Sequence, residues 1–113
     1  MKNNDKELIK LLEDSFKNGV MAKGYLEVVR SIQQRKAKLV VVGKDVNNKD
    51  MVLEIKRLCN THETPLVVML DRSVLGKIAE LNIPTGFVSV KISGFNKTDF
   101  NNYINFVAKA KSQ

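Results

Sequence analysis

Two kinds of hydrophobic pattern alternate along the chain. Apolar residues at spacings of three and four predict amphipathic helices, over residues 5–18, 24–35, 51–59, 74–81 and 98–107. Short continuous apolar runs at residues 39–42 and 66–70 predict strands that are buried on both faces. Residues 87–92 predict a third strand, with partial alternation of apolar and polar positions. Gly19 follows the first helix as a stop signal. Asp71 or Ser73 is expected to cap the fourth helix, and Pro84 is expected to end it.

The order of these elements predicts the fold class. Helical segments separate the strands, so the connections are expected to be crossovers and the sheet to be covered by helices on both faces. The prediction is an α/β fold, a three-layer α-β-α sandwich. The chain has 113 residues without a repeat or a linker, which fits a single domain over residues 1–113. An apolar share of 43% with 27% charged residues is typical of globular proteins and argues against a disordered chain.

The cysteine count, the hydropathy and the net charge limit which classes of protein the chain can belong to. A single cysteine cannot form an internal disulfide, and no apolar run approaches the roughly 20 residues of a membrane span. These features predict a soluble protein in a reducing compartment, with no segment that spans a membrane. The formal net charge is +7, which favours a polyanionic partner. Charge alone leaves RNA, DNA, a membrane surface or merely a basic exterior open.

Residues that could carry catalysis or hold a metal are sparse. Gly43-Lys44 follows a strand but lacks the remaining residues of a phosphate-binding loop. One cysteine and one histidine cannot build a zinc site. Cys59 falls in the apolar stripe of the third helix and is interpreted as a core residue. His62 lies just beyond that helix and is interpreted as a surface or capping residue. We therefore expect no enzyme activity, no metal, no cofactor and no small-molecule substrate.

The start of the second predicted helix combines charge with glycine. Lys23 and Gly24 stand at its N-terminus, where unpaired amides and the helix dipole favour phosphate. Glu27 and Arg30 are three residues apart and therefore share a helix face. Basic residues of this half of the chain include Lys23, Arg30, Lys38 and Lys44. An RNA site would use the carboxylate to accept hydrogen bonds from a guanine edge. The alternative is a glycine turn beside a solvent-facing ion pair.

An ordered set of short segments between Leu11 and Val90 resembles the superfamily of kink-turn-binding ribosomal proteins of the "L-seven-Ae" type. Relatives in that superfamily include the "S-twelve-e" ribosomal protein and core proteins of C/D and H/ACA ribonucleoproteins. The segments that carry the resemblance are Lys23-Gly24-Tyr25-Leu26-Glu27-Val28 and residues 37–42, 45–46, 58–59, 65, 75–77 and 82–84. The resemblance implies a central four-stranded mixed sheet, whose extra short strand would come from residues 20–22.

The resemblance also implies where RNA would bind. In the family the helix opens with Gly-x-Asn-Glu and a basic residue three places beyond the Glu, and here Leu26 replaces the Asn. The loop that covers flipped-out nucleotides corresponds to residues 81–83. The implied RNA-binding residues are Lys23, Gly24, Tyr25, Leu26, Glu27, Arg30, Lys38, Lys44, Lys77, Leu81, Asn82 and Ile83.

The implied function is a structural, RNA-binding component of a ribosome or a small ribonucleoprotein particle. Its partners would be ribosomal or small guide RNA and other subunits of the particle, in the cytoplasm or, for a eukaryotic guide-RNA particle, in the nucleolus. The alternative is a protein-interaction module of such a particle, which retains the fold and docks through an apolar patch at Tyr25 and Leu26.

Overall fold

The computed structural model describes residues 3–91 as alternating helices and strands. The elements are α1 (Asn3–Lys17), β1 (Met21–Lys23), α2 (Tyr25–Gln33), β2 (Leu39–Val42), α3 (Lys49–Thr61), β3 (Leu66–Val68), α4 (Arg72–Ile78) and β4 (Phe87–Val90). The helix predicted over residues 98–107 lies outside the described residues. Among the described helices, none has the length and apolar character that crossing a membrane would require.

The four strands form one mixed sheet in the order β1-β4-β2-β3. β2 and β3 are parallel, whereas β4 runs antiparallel to both β1 and β2. This confirms the α/β class and the four-stranded mixed sheet, with β1 one residue later than predicted. The expectation that every connection is a crossover between parallel strands is wrong for the connection from β3 to β4. β3 is parallel to β2, whereas β4 is antiparallel to β2, so β3 and β4 run in opposite directions.

The sheet has two distinct ends. Lys23, Val42, Val68 and Phe87 lie together at one end, because the forward strands finish there and β4 begins there. We call it the Gly24 end, after the residue that follows β1. The opposite end, where β2 begins and β4 finishes, pairs Leu39 with Val90.

Alternating strand residues supply the two cores of the sandwich. Val41 and Val88 face a cluster that includes Leu12 of α1 and Leu75 of α4. Val40, Val42 and Phe87 face the other cluster, which includes Val28 and Ile32 of α2 and Ile55 and Cys59 of α3. The three layers are therefore α1 with α4, the sheet, and α2 with α3. Cys59 is only 4% exposed, as its predicted core role requires.

The described helices end in the same way. After each one, a residue with positive φ turns the chain, and its neighbouring amides bond back to the last helical carbonyls. The residues that make these turns are Gly19, Arg35, Glu63 and Glu80, and Gly24 and Leu70 also have positive φ at other places in the described chain. Gly19 therefore stops α1 as predicted. Pro84 does not end α4, because the left-handed turn at Glu80 has already ended it after Ile78.

Candidate nucleic-acid interface

Gly24 alone connects β1 to α2, and its backbone conformation requires glycine. Its φ is +86°, in the region that residues with a Cβ adopt only under strain. Its N–H donates to the carbonyl of Phe87 at 2.8 Å, and its own carbonyl accepts from the N–H of Val28 at 3.0 Å. No side chain caps the helix here, so the first amides of α2 remain available to an anion.

The side chains around Gly24 differ in how firmly the fold holds them. The Tyr25 ring packs edge-on against Phe87, with 5.4 Å between the ring centroids. Lys23 is half-buried, and its Nζ lies 4.7 Å from the centroid of the Phe16 ring. Leu26, in contrast, is 67% exposed. The predicted apolar docking patch therefore reduces to Leu26 alone, because Tyr25 is used in packing.

Glu27 and Arg30 are both exposed on α2. They share a helix face, as their spacing predicts, but these two described side chains form no ion pair with each other. The carboxylate and the guanidinium are therefore both free to bind a ligand. This geometry departs from the alternative prediction of a solvent-facing ion pair.

The loop between α4 and β4 approaches the same end of the sheet. Gly76 of α4 lets this loop lie directly against the helix, because a Cβ at that position would lie 2.5 Å from the carbonyl oxygen of Ile83. Ile83 points outward and is 69% exposed, while Leu81 packs partly against the core. Asn82 and Lys77 are exposed beside them. The contact at Gly76 could have been suspected from a glycine within a predicted helix, but the sequence does not identify its partner.

A second set of contacts fixes the end of this loop. The backbone N–H of Arg72 donates to Asp45 Oδ1 at 2.9 Å, and Arg72 Nε lies 3.4 Å from Asp45 Oδ2. The carbonyl of Arg72 in turn accepts from the N–H of Thr85 at 3.2 Å. The hydrogen bond from the Arg72 backbone, assisted by the Arg72 side chain, lowers the pKa of Asp45. We call this arrangement the Asp45–Arg72 lock.

Asp45 thus caps α4 from a distance of 27 residues in the sequence. Asp71 occupies the N-cap position of that helix, as predicted, but its side chain makes no capping hydrogen bond. The sequence does not indicate this contact, because nothing in the spacing of Asp45 and Arg72 shows that the two residues meet.

The structure brings most of the predicted RNA-binding residues together and separates one of them. Lys44 follows β2 at the Gly24 end, where its N–H donates to the carbonyl of Leu70 at 2.8 Å. Lys38 precedes β2, and its N–H donates to the carbonyl of Val90 at the opposite end. A four-residue strand spans about 13 Å, so Lys38 and Lys44 lie too far apart to bind the same phosphate.

The chemistry of the described residues offers no metal centre. Within residues 3–91, no three or more His, Cys, Asp or Glu side chains are grouped so that they could hold a metal ion. Burial raises the pKa of the Cys59 thiol to about 11, so the thiol stays protonated and unreactive at neutral pH. His62 is the C-cap of α3 and bonds through its backbone N–H to the carbonyl of Leu58.

Comparison with known proteins identifies the family of the chain. The Ribosomal protein L7Ae/L30e/S12e/Gadd45 family matches residues 6–99. The chain belongs to this family. Membership confirms the resemblance drawn from the ordered segments between residues 11 and 90. It also agrees with the expectation that the chain is not an enzyme, because the family consists of structural ribosomal and RNA-binding proteins.

Individual relatives within the L7Ae family are ribosomal. The large ribosomal subunit protein eL8 of Picrophilus torridus is 32% identical over 110 residues, which are 96% of this chain and 84% of the relative. The eL8 protein of Thermoplasma volcanium is 33% identical over 89 residues, covering 79% of this chain and 71% of the relative.

Solved structures share the L7Ae-type fold at lower identity. The Giardia lamblia 15.5kD RNA binding protein superposes with a TM-score of 0.87 at 19% identity, covering 96% of this chain and 91% of that one. A protein of unknown function from Bacillus halodurans gives a TM-score of 0.72 at 21% identity, covering 86% and 95%. These similarities concern the fold alone.

Proposed function

We propose that this L7Ae-family protein is a non-enzymatic RNA-binding component of the ribosome or of a small ribonucleoprotein particle. It binds bent, kink-turn-like RNA through the start of α2 and the loop before β4. Its partners are ribosomal or guide RNA and neighbouring subunits of the same particle. This places the protein on cytoplasmic ribosomes, or in the nucleolus if it serves a guide-RNA particle in a eukaryote.

The proposal depends above all on one feature, the hydrogen bond between the Gly24 N–H and the carbonyl of Phe87. This bond holds the uncapped start of α2 against the strand that the 79–86 loop enters. The loop and the helix start therefore form one surface, with Leu26 on one side and Ile83 on the other as large exposed hydrophobic residues. The ribosomal identity of the eL8 relatives and the RNA-binding character of the Giardia protein support RNA as the ligand.

Each group on this surface has a contribution suited to folded RNA. The amides of the first turn of α2 bind a phosphate, since a glycine start lets the backbone approach closely. Arg30 and Lys23 supply further positive charge, and Lys44 and Lys77 flank the surface. Glu27 accepts hydrogen bonds from a guanine edge, while Leu26 and Ile83 cover unstacked bases, as is usual in recognition of non-helical RNA.

Binding measured at several salt concentrations tests this proposal. The wild-type protein should bind a kink-turn RNA more tightly than the same RNA with its G·A pairs replaced by Watson–Crick pairs. Arg30→Ala should weaken binding and reduce the slope of log K against log salt by about one unit, because one phosphate contact is lost.

Lys10→Ala provides the matched control, since it removes one exposed positive charge from α1 on the other face of the sheet. Its binding should follow that of the wild-type protein. Equal slopes for Arg30→Ala and Lys10→Ala, or equal wild-type affinity for both RNAs, would contradict the proposal.

The alternative of a protein-interaction module is less well supported, because Tyr25 is held against Phe87 and leaves Leu26 as the exposed part of the predicted patch. Nuclease treatment separates the two functions. An RNA-binding component should lose its association with the particle when the RNA is digested, whereas a protein-docking module should keep it.

A further inference from the structure

A cationic pocket lies along α2, beyond the helix start. Its volume is about 160 Å³, several times the roughly 10–15 Å³ that one water molecule needs. Arg30 lines it from α2, Gln34 from the C-cap of that helix, Lys36 from the turn that follows, and Lys91 from the position directly after β4. Glu27 is the one carboxylate among its lining residues, so three cations face a single negative charge.

The backbone fixes two of these lysines in place. The left-handed turn at Arg35 brings the N–H of Lys36 back to the carbonyl of Ser31 at 2.9 Å. The N–H of Lys91 donates to the carbonyl of Val20 at 2.7 Å. Beneath the pocket, the buried hydroxyls of Ser31 and Ser89 bond to each other at 2.8 Å and join α2 to β4. The convergence of charge is therefore built by three segments of the fold.

The positive charge of the pocket is not neutralised by the described part of the chain. Arg30, Lys36 and Lys91 form no ion pair with any residue in the range 3–91. A concave surface with excess charge of one sign concentrates ions of the opposite sign. Five guanidinium N–H donors, two ammonium groups and the Gln34 amide match the oxygen acceptors of a phosphate.

We propose that this pocket binds a backbone phosphate of the RNA strand that leaves the surface at Gly24. The inference rests on the proposed function and extends it to a second contact. Along α2, residues 30–34 lie about 9–15 Å from Gly24 at 1.5 Å per residue. Glu27 and Arg30 belong to both surfaces, so one strand can follow α2 from the helix start to the pocket.

The test uses the full chain and two kink-turn RNAs, one with a minimal flanking stem and one whose stem is longer by four base pairs. Lys36→Gln combined with Lys91→Gln should weaken binding of the longer RNA about tenfold. It should also reduce the salt slope for that RNA by about one unit. Binding of the minimal RNA should stay unchanged.

Lys6→Gln combined with Lys10→Gln is the control, because it removes two exposed charges from α1. The inference is overturned if the pocket and control variants behave alike, or if the pocket variant loses affinity for both RNAs equally. If the wild-type protein binds neither RNA, the proposed function fails as well.

Inorganic phosphate titrated into labelled protein supplies an RNA-independent measurement. We expect phosphate to cause saturable shifts of the amide resonances of residues 36 and 91. We expect no such shifts in the double variant. Phosphate binding there without any effect of the double variant on the longer RNA would contradict RNA as the source of the phosphate.

Discussion

Leu26 occupies the position where the resembled helix start carries an amide side chain. Leucine contributes apolar area but neither donates nor accepts a hydrogen bond. Here it is 67% exposed and belongs to neither core cluster of the described residues. A side chain of this kind can cover a base but cannot distinguish a guanine edge from another base edge. Under the proposed function, Leu26 would add contact area to the RNA surface without discriminating between bases.

Leu26→Asn should therefore increase the preference for G·A-containing kink-turn RNA over its Watson–Crick counterpart. The expected gain is about 1–3 kcal/mol, the usual worth of a bidentate base contact. Filter binding of both RNAs measures it. Leu53→Asn is the control, since Leu53 of α3 is similarly exposed, at 63%, and should change neither affinity. A gain that also appears with Leu53→Asn would remove the proposed role of Leu26.

Backbone strain occurs at the turns that follow three of the described helices. Three of the four residues that turn the chain after a helix are Arg35, Glu63 and Glu80, although positive φ disfavours any residue with a Cβ. Each turn closes two hydrogen bonds to helix carbonyls, such as the bonds from the Glu63 N–H to Asn60 and from the Thr64 N–H to Cys59. These bonds offset the local cost.

Glu63→Gly and Glu80→Gly should each raise the free energy of unfolding by about 0.5–1 kcal/mol, because relief of the positive φ exceeds the added entropy of the unfolded chain. Their effects should add, since the two turns are distinct sites. Urea unfolding measures this. Lys56→Gly, at an exposed position in the middle of α3, should instead lower stability by a similar amount. Destabilisation by all three glycines would show that the turns are unstrained.

These turns also explain which elements the sequence can predict. Gly19 marks the end of α1 because glycine is the usual residue for a left-handed turn. The ends at Arg35, Glu63 and Glu80 carry no such signal, so the predicted end of α4 is too late. The alternating core positions of β2 and β4 follow from continuous apolar runs, but the reversed direction of β4 depends on pairing that no local pattern specifies.

The candidate site likewise has some features that the sequence predicts and others that it does not. Helical spacing is enough to place Glu27 and Arg30 on one face of α2. The closeness of Lys23 and Lys38 in the sequence is lost on folding, because α2 carries the chain from the Gly24 end of the sheet to the opposite end, where Lys38 precedes β2. The contact between Gly76 and Ile83 and the Asp45–Arg72 lock are tertiary contacts, and sequence spacing does not reveal them.

At the scale of the whole molecule, the candidate interface depends on contacts between distant segments. The Asp45 carboxylate accepts a hydrogen bond from the Arg72 N–H, and the Arg72 carbonyl accepts one from the Thr85 N–H. Two residues after Thr85, the Phe87 carbonyl accepts a hydrogen bond from the Gly24 N–H. The loop after β2, the start of α4, the loop before β4 and the start of α2 are thereby connected in series. A change at Asp45 should therefore affect the candidate interface, although Asp45 itself is not among the predicted RNA-binding residues.

Asp45→Asn tests this connection through pH. The pKa of Asp45 is lowered from its ordinary value of 3.8, first by the hydrogen bond from the Arg72 backbone. The charged carboxylate therefore stabilises the fold above that pH, and the stabilisation is lost as pH falls through the lowered pKa. The variant should be less stable than the wild-type protein at neutral pH, and the difference should shrink below about pH 4. Urea unfolding across this range measures it.

The same variant should bind kink-turn RNA more weakly at neutral pH. The start of α4, to which Thr85 of the 79–86 loop is bonded, loses part of its attachment to the loop after β2. Asp71→Asn removes a neighbouring carboxylate whose side chain makes no capping hydrogen bond. Both variants change the net charge equally, so a purely electrostatic effect would strengthen RNA binding in both. Weaker binding by Asp45→Asn alone would identify the lock as the support of the loop, and parallel behaviour of the two variants would refute that role.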